Sequence, residues 1–440
     1  MRQAERVSAL NEPQKPPSAA KRGYILGLLT AIWALSMLDR NVMSILIDPI
    51  KKELNLTDTM LGLMMGFGFV LIYLLLSLPV SRYADRRARI PIISTGLALW
   101  SLMTGLGGLA HSGFQMFLFR LGVGVGESTG VAPSVSLISD YFPKDRRPMA
   151  MSIFAMAPVI GVGLGFLIGG LTAHYYGWRA SFFVAGIPGI IIALLLRFTV
   201  REPLRGLSDG PRAETQTFTL GSTIRYFAAN RTLLLVFAGF IFITYSNYAF
   251  ATWMPAFLGR VHKVNMARIG MMAGLIYLVF SIVGSLLGGV ITTAASRKDD
   301  RWRITTPGIV NLLAGPAMLL FLLPGSLPVV WFGLGLSAVL LAFAMGPQAA
   351  VIQTIVKVRM RAFAGSVTMT GATLFGMGFG PLVVAMVSDS LKPRFGALAL
   401  RYSMLTAVIA LILSGVCYIW ASAYIKADMR KAQEEASGIA

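Results

Sequence analysis

Long apolar segments dominate this chain and restrict it to one class of fold. A segment of about 20 apolar residues crosses a bilayer as a helix. Of the 440 residues, 13% are charged, whereas soluble domains carry about 25%. We therefore predict an all-α membrane protein with twelve transmembrane helices, called spans 1 to 12 in chain order. The predicted spans are Tyr24–Ile47, Met60–Val80, Ile90–Ala110, Phe114–Ile138, Met149–His174, Trp178–Leu196, Thr232–Leu258, Gly270–Thr293, Ile304–Leu323, Pro328–Val356, Ala362–Ser388 and Tyr402–Ile425.

The distribution of positive charge predicts the orientation of the chain. The net charge is +20, and 28 of the 39 Lys and Arg residues lie on the side that carries both chain ends. Nine lie on the other side, and two lie within spans. Because cytoplasmic loops are rich in Lys and Arg, we predict that both termini are cytoplasmic. The positive charge is thus a signal of topology, and binding of nucleic acid is not expected.

Two similar halves are predicted. The stretch Arg146–Gly165 after span 4 is similar to Arg361–Gly380 after span 10, since each places a basic turn before a helix that ends in alternating glycines. A six-plus-six duplication of this kind is typical of the major facilitator fold. We expect a disordered cytoplasmic tail (1–23), a first six-helix bundle (24–196), a cytoplasmic linker (197–231), a second bundle (232–425) and a cytoplasmic tail (426–440).

Charged residues inside the apolar spans are the strongest functional signal. Arg120 and Glu127 in span 4 are seven residues apart, about two helical turns, so they project from one face. At 1.5 Å per residue, Asp39 in span 1 and Arg120 have depths that agree to about 1 Å, which predicts an ion pair. Intramembrane charges usually mark ion or substrate paths, although a structural pair that fixes helix register is the alternative. Arg40 either joins this site or extends to the outer surface.

The loop between spans 2 and 3 is a candidate gate. It reads SRYADRRAR over Ser81–Arg89, and its acid–base pattern resembles the signature loop of the major facilitator superfamily. Two positions that are glycine in that signature are serine and alanine here. The resemblance implies that Asp85, with Arg86 and Arg89, closes the cytoplasmic mouth by charge pairing. A solvated basic loop that only sets topology is the alternative.

The second half offers polar rather than charged candidates for lining a cavity: Tyr245, Asn247 and Tyr248 in span 7, and Gln348 in span 10. For each residue taken alone, packing or a place at the membrane interface is the alternative. The three histidines fall in separate loops or span ends, so no metal site is expected. The spans also lack a nucleophile–base signature, and we do not expect an enzyme.

Three stretches resemble the spinster branch of the major facilitator superfamily: Leu38–Arg40, Arg120–Phe154 and Val200–Gly206. The resemblance is strong as far as Gly206, and Trp253–Leu258 is its best trace in the second half. Spinster-type transporters move lysophospholipids and sphingosine-1-phosphate, and bacterial relatives are proton-linked. The resemblance implies a buried charged site formed by Asp39, Arg40, Arg120 and Glu127.

We therefore expect a secondary active transporter that moves an amphipathic lipid, such as a lysophospholipid, by alternating access. Glu127, with Asp39, is expected to carry the coupling proton, because a buried carboxyl group favours its neutral form. Arg120 is expected to hold Glu127 ionised until the substrate or Asp39 competes for it. The polar head would face this charged site, and the tail would lie against the second half.

Other expectations follow from the same interpretation. Protons are the expected coupling ion, without any other cofactor. The protein is expected to act as a monomer among the lipids of a bacterial inner membrane. Three alternatives stay open: efflux of amphipathic drugs, transport of small organic anions, and an uncoupled lipid scramblase or non-transporting receptor.

Overall fold

The computed structural model describes residues 18–203, 230–356, 361–426 and 428, and these fold into helices joined by turns. The first half contains span 1 (Ala19–Ile45, followed by Ile47–Glu53), span 2 (Asp58–Met65 and Phe67–Ala84), span 3 (Arg89–Gly107), span 4 (Gly113–Glu127 and Val131–Tyr141), span 5 (Arg147–Ala155 and Ala157–Tyr176) and span 6 (Trp178–Thr199). The second half contains span 7 (Arg231–Arg260), span 8 (Met266–Ser296), span 9 (Trp302–Leu322), span 10 (Leu327–Ile355), span 11 (Arg361–Gly371, a π-helical segment Ala372–Gly378, and Phe379–Phe395), a 3₁₀ turn (Gly396–Leu398) and span 12 (Ala399–Ser422).

Ten helical stretches in the described ranges are long and apolar enough to cross a membrane. One of them, Ala364–Ser422, contains both span 11 and span 12, which reverse at Gly396, where φ is +54°. Span 4 is absent from the ten because it breaks into two shorter helices. With these two adjustments the described helices account for the twelve predicted spans.

The break in span 4 corrects the predicted single helix Phe114–Ile138. The first helix ends at Glu127, and the second begins at Val131. Between them, the hydroxyls of Ser128 and Thr129 bond back to carbonyls of the preceding turn. Pro133 has no N–H to continue the hydrogen-bond ladder, and the first turn of a new helix is where proline is tolerated. The break therefore falls directly after the buried Glu127.

The ends of several helices differ from the predicted ones. Span 1 begins at Ala19, inside the segment predicted as a tail, because Ser18 Oγ caps it by accepting from the Lys21 N–H at 3.3 Å. Span 6 continues to Thr199, inside the predicted linker. Residues 1–17, 204–229, 427 and 429–440 lie outside the described residues. The disorder of the tails and linker therefore stays a prediction.

The two halves form separate six-helix bundles that meet mainly along two pairs of helices, and span 1 also contacts span 7. Span 2 packs against span 11, and span 5 packs against span 8. We call the end where span 1 begins and span 12 finishes the termini end, and the other the far end. The largest buried apolar cluster joins residues of both halves near the far end, including Ile47 and Ile50 with Trp253 and Phe257.

Glycines on span 5 allow close approach on both of its sides. A Cβ atom on Gly165 would lie 2.7 Å from the carbonyl oxygen of Leu38 in span 1. A Cβ atom on Gly170 would lie 2.7 Å from Cα of Gly270 in span 8, in the other half. Small residues permit backbones to touch in this way. Span 5 is therefore in backbone contact with its own bundle and with the opposite one.

Candidate functional site

A central cavity of about 360 Å³ lies between the two halves. The first half contributes Arg40 and Arg120 to its lining, and the second half contributes Asn247 and Tyr248. The rest of the lining is largely apolar and includes Met37, Met43, Met64, Met65, Met345 and Met377. Methionine is flexible and polarisable, so such a wall adapts to apolar ligands of different shapes. The cavity thus combines a cationic side with an adaptable apolar side.

The predicted pair of Asp39 and Arg120 is present. Arg120 Nη1 donates to Asp39 Oδ2 at 3.0 Å, and the two residues are 2% and 5% exposed. The Arg120 guanidinium also lies 5.6 Å from the ring centroid of Phe182 in span 6. The second oxygen of Asp39 and Nη2 of Arg120 have no hydrogen-bond partner in the described structure. The pair therefore keeps one free acceptor and one free donor.

Glu127 is paired with Arg40 and not with Arg120, which corrects the prediction that Arg120 holds Glu127 ionised. Arg40 Nη2 forms an ion pair with Glu127 Oε2, and Nε of the same guanidinium donates to that oxygen at 3.1 Å. Ser36 Oγ donates to it at 2.7 Å. Seven residues of rise separate Arg120 from Glu127 by about 10 Å along one helix. Each carboxylate is therefore met by an arginine from the facing helix, in two crossed pairs.

This pairing also decides between the two interpretations of Arg40. Its guanidinium lies 4.8 Å from the ring centroid of Phe69 and 5.9 Å from that of Tyr73, both in span 2. Its Nη1 donates to the sulfur of Met377, in the π-helical segment of span 11, at 3.4 Å. Arg40 thus belongs to the charged site, and it contacts the other half of the protein. Nothing in the sequence distinguishes Met377, since methionine is common in these spans.

The four polar residues predicted in the second half have different positions. Asn247 and Tyr248 line the central cavity. The hydroxyl of Tyr245 lies 3.2 Å from Thr406 Oγ1 in span 12, so this side chain is held within its own half. Gln348 is fully buried, and its side-chain amide has no hydrogen-bond partner in the described structure. The described cavity lining includes neither Tyr245 nor Gln348.

Of the three predicted gate residues, Arg89 is buried, whereas Asp85 and Arg86 are exposed. Arg89 is 2% exposed and donates to Glu202 at 2.8 Å and to Ser136 at 2.7 Å, and it also pairs with Asp140. These contacts tie span 3 to span 4 and to the segment after span 6, all within the first half. Asp85 caps the end of span 2, where it and Arg86 are exposed. The gate role of these residues stays a prediction.

A polar network at the far end joins the two halves, and the sequence analysis missed it. Arg260 of span 7 donates to Asp48 at 2.7 Å and to both oxygens of Asp58 at 2.7 and 2.9 Å. Asp58 also pairs with Lys51. Asp389 of span 11 accepts from the backbone N–H of Asp58 at 3.2 Å. These residues stand at span ends, where a sequence indicates topology but not which ends meet.

Comparison with known proteins identifies the family. The model of the Major Facilitator Superfamily matches residues 29–381. This chain belongs to the major facilitator superfamily. It is therefore an integral membrane transporter and not an enzyme.

Individual relatives place the transporter more closely. It is 32% identical to an MFS-type efflux pump of Mycolicibacterium smegmatis, over 92% of this chain and 93% of that protein. It is 24% identical to the sphingosine-1-phosphate transporter SPNS2 of Danio rerio, over 94% and 86% of the two chains. A crystal structure of a bacterial homolog of the human lysosomal transporter spinster, inward-facing and unoccupied, matches with a TM-score of 0.84 and 29% identity, over 94% of this chain and 99% of that one. The transporter thus lies in the spinster branch.

Proposed function

We propose that this transporter moves a single-chain amphipathic lipid through the central cavity by alternating access, driven by protons. The observation that carries the proposal is the two-sided cavity. Two arginines reach it from the first half, while methionines and aromatic rings form much of the remaining wall. An anionic head group would pair with the guanidinium groups, and an acyl chain would lie against the apolar wall.

The proposed coupling step acts on the crossed pairs. Arg40 and Ser36 both bind the same oxygen of Glu127, and the other oxygen has no partner in the described structure. A proton on Glu127 removes the charge that holds Arg40. The side chain of Arg40 is already 17% exposed and lines the cavity, so the released guanidinium would bind the lipid head group. Asp39 and Arg120 would form the second, more buried pair.

The known relatives support a lipid as the substrate. The zebrafish relative is named as a transporter of sphingosine-1-phosphate, which is a single-chain lipid with a phosphate in its head group. The likeness to the inward-facing crystal structure supports an inward-facing state for this conformer. The network around Arg260 would then be the outer closure of that state, with both chain ends in the cytoplasm. A bacterial plasma membrane and a monomeric state belong to the same proposal.

A second candidate function is the efflux of amphipathic drugs. The mycobacterial relative that is named an efflux pump favours it. A drug pump and a lipid transporter would share the apolar wall, but a cationic drug would be repelled by Arg40 and Arg120. The charge of the transported compound therefore separates the two candidates.

The test is transport by purified protein reconstituted in liposomes. We expect a labelled lysophospholipid to be moved at a rate that depends on an imposed pH gradient, and a lipophilic cationic dye to be moved slowly or not at all. Lipid movement without any dependence on the gradient would indicate an uncoupled scramblase. Preference for the dye would support the drug pump and contradict the proposal.

A further inference from the structure

Beside the central cavity lies a second chamber of about 270 Å³, between spans 8 and 10 toward the termini end. Span 8 contributes small and hydroxyl residues to its lining, and Arg303 of span 9 lies at its end: Ser285, Gly289, Thr292, Thr293, Ser296 and Arg303. Ser285 and Gly346 line both spaces, so the chamber and the cavity adjoin. Ser285 and Ser296 are separated by about 16 Å of helical rise.

Beside this chamber, span 10 approaches span 8 closely and carries an interior proline. A Cβ atom on Gly288 of span 8 would lie 2.2 Å from the carbonyl oxygen of Phe343 in span 10, so the two helices touch. Pro347 follows four residues after Phe343. It has no N–H to bond that carbonyl, and an interior proline bends a helix. Pro347 and Ala350, in the next turn of span 10, belong to the described lining.

Thr292 contributes a buried hydroxyl group to the lining of this chamber. Hydroxyl side chains such as Ser44 and Thr244 elsewhere, and Ser296 in this chamber, donate to a carbonyl of the preceding turn. Thr292 is only 8% exposed, yet its hydroxyl has no hydrogen-bond partner in the described structure. A buried hydroxyl without a partner in the described protein can donate to a ligand that enters the chamber.

We propose that this chamber binds the phosphate-bearing head group of a single-chain lipid on its way between the central cavity and the termini end. This inference rests on the proposed function and adds a second head-group site to it. The described lining contains one cation, Arg303, and no carboxylate. Hydroxyl groups donate to phosphate oxygens, and a guanidinium binds them in a charge-assisted manner. Arg303 now pairs with Asp300 at 3.0 Å, where its side chain is 40% exposed, so a phosphate competes with a solvated partner.

The direct test is photolabelling of the detergent-solubilised wild-type protein. One probe is a lysophospholipid with a diazirine on its head group, and the other carries the diazirine at the end of its acyl chain. Peptide mapping should place the head-group label on span 8 between Ser285 and Ser296, and the tail label on the central cavity. A head-group label confined to the region of Arg40 and Arg120, or equal labelling by both probes, overturns the proposal.

Transport kinetics provide the second test. Thr292→Val keeps the shape and removes the hydroxyl, and it should raise the KM for lysophospholipid roughly tenfold, as expected for a lost bond to a charged group. Arg303→Gln should do the same. Thr95→Val, which changes an exposed threonine in the first half, and Arg297→Gln, an exposed arginine outside the chamber, are the matched controls. Unchanged KM in both chamber variants overturns the proposal, whereas wild-type protein that moves no lipid but is still labelled on span 8 counts against the proposed function alone.

Discussion

Replacing Arg260 by glutamine should open the far end of the transporter. The guanidinium of Arg260 makes two bonds to Asp58, whose side chain is 1% exposed, and one to Asp48, whose side chain is 37% exposed. A hydrogen bond to a charged group contributes about 1.5–3 kcal/mol, and the exposed Asp48 contact counts for less because water screens it. Asp58 keeps Lys51 as a partner in the variant, so it is not left unpaired.

We therefore expect the state with a closed far end to be destabilised by about 2–3 kcal/mol relative to the state with an open far end. The remaining partners of Asp58 limit this loss of stability. At 1.36 kcal/mol per factor of ten, the ratio of open to closed molecules should rise roughly 30- to 150-fold. The assay is a distance measurement between spin labels at Lys52→Cys and Ala397→Cys, two exposed positions at the far end in different halves. The single native cysteine, Cys417, is replaced by serine in this background.

Arg179→Gln is the matched control. Arg179 also pairs with a carboxylate, Glu53, but both residues belong to the first half. We expect this variant to keep the wild-type distance distribution. If Arg260→Gln changes the ratio of the two populations no more than the control does, the network does not hold the far end closed.

The remaining predictions concern charged residues of the first half. Glu127→Gln should fold but lose pH-driven lipid flux, because Arg40 no longer has a carboxylate that a proton can neutralise; full pH-driven flux in liposomes would contradict this. Asp39→Asn or Arg120→Gln should each destabilise by roughly 3–5 kcal/mol by leaving a buried charge unpaired, and the double variant Asp39→Arg with Arg120→Asp should recover part of the melting temperature without restoring transport. The hydrogen bond from Trp178, helped by Arg179, lowers the pKa of Glu53 below its ordinary 4.5, so this contribution to stability is present above about pH 4.5 and is lost as the pH falls through the lowered pKa. A difference in melting temperature between wild type and Glu53→Gln that stays constant down to about pH 3 would show that the carboxylate has no such effect.

Helical rise was sufficient to predict some contacts and insufficient for others. Asp39 and Arg120 lie at equal depths on facing helices, so counting residues identified their contact. The same counting did not decide whether Arg40 joins the charged site or extends to the outer surface. The depth of a residue does not show which side of its helix faces the neighbouring helix. Asp39 and Arg40 are adjacent and therefore point about 100° apart, and only the packed bundle shows that this turn directs Arg40 to Glu127.

Features that depend on how the two halves meet could not be predicted from the sequence. Arg260, Asp58 and Asp389 come from three separate span ends. Met377 contacts Arg40 because a π-helical segment places its sulfur there, and nothing in the alternating glycines of that stretch indicates the insertion. The second chamber is lined by residues of spans 8, 9 and 10, beside the close contact between Gly288 and Phe343. Each is a property of tertiary packing and not of local pattern.

The glycine contact between spans 5 and 8 has a consequence for how fast the halves exchange conformations. Where Gly170 meets Gly270, the backbones of the two helices are in direct contact. Two backbones in contact can slide past each other without any change of side-chain rotamer. Where long side chains interdigitate, changing and reordering their rotamers costs free energy. We therefore expect the activation enthalpy of the conformational transition to be small at this contact. Gly170→Ala should increase this activation enthalpy and make turnover more temperature-dependent, although Gly170 belongs to neither the charged site nor the described lining of the central cavity.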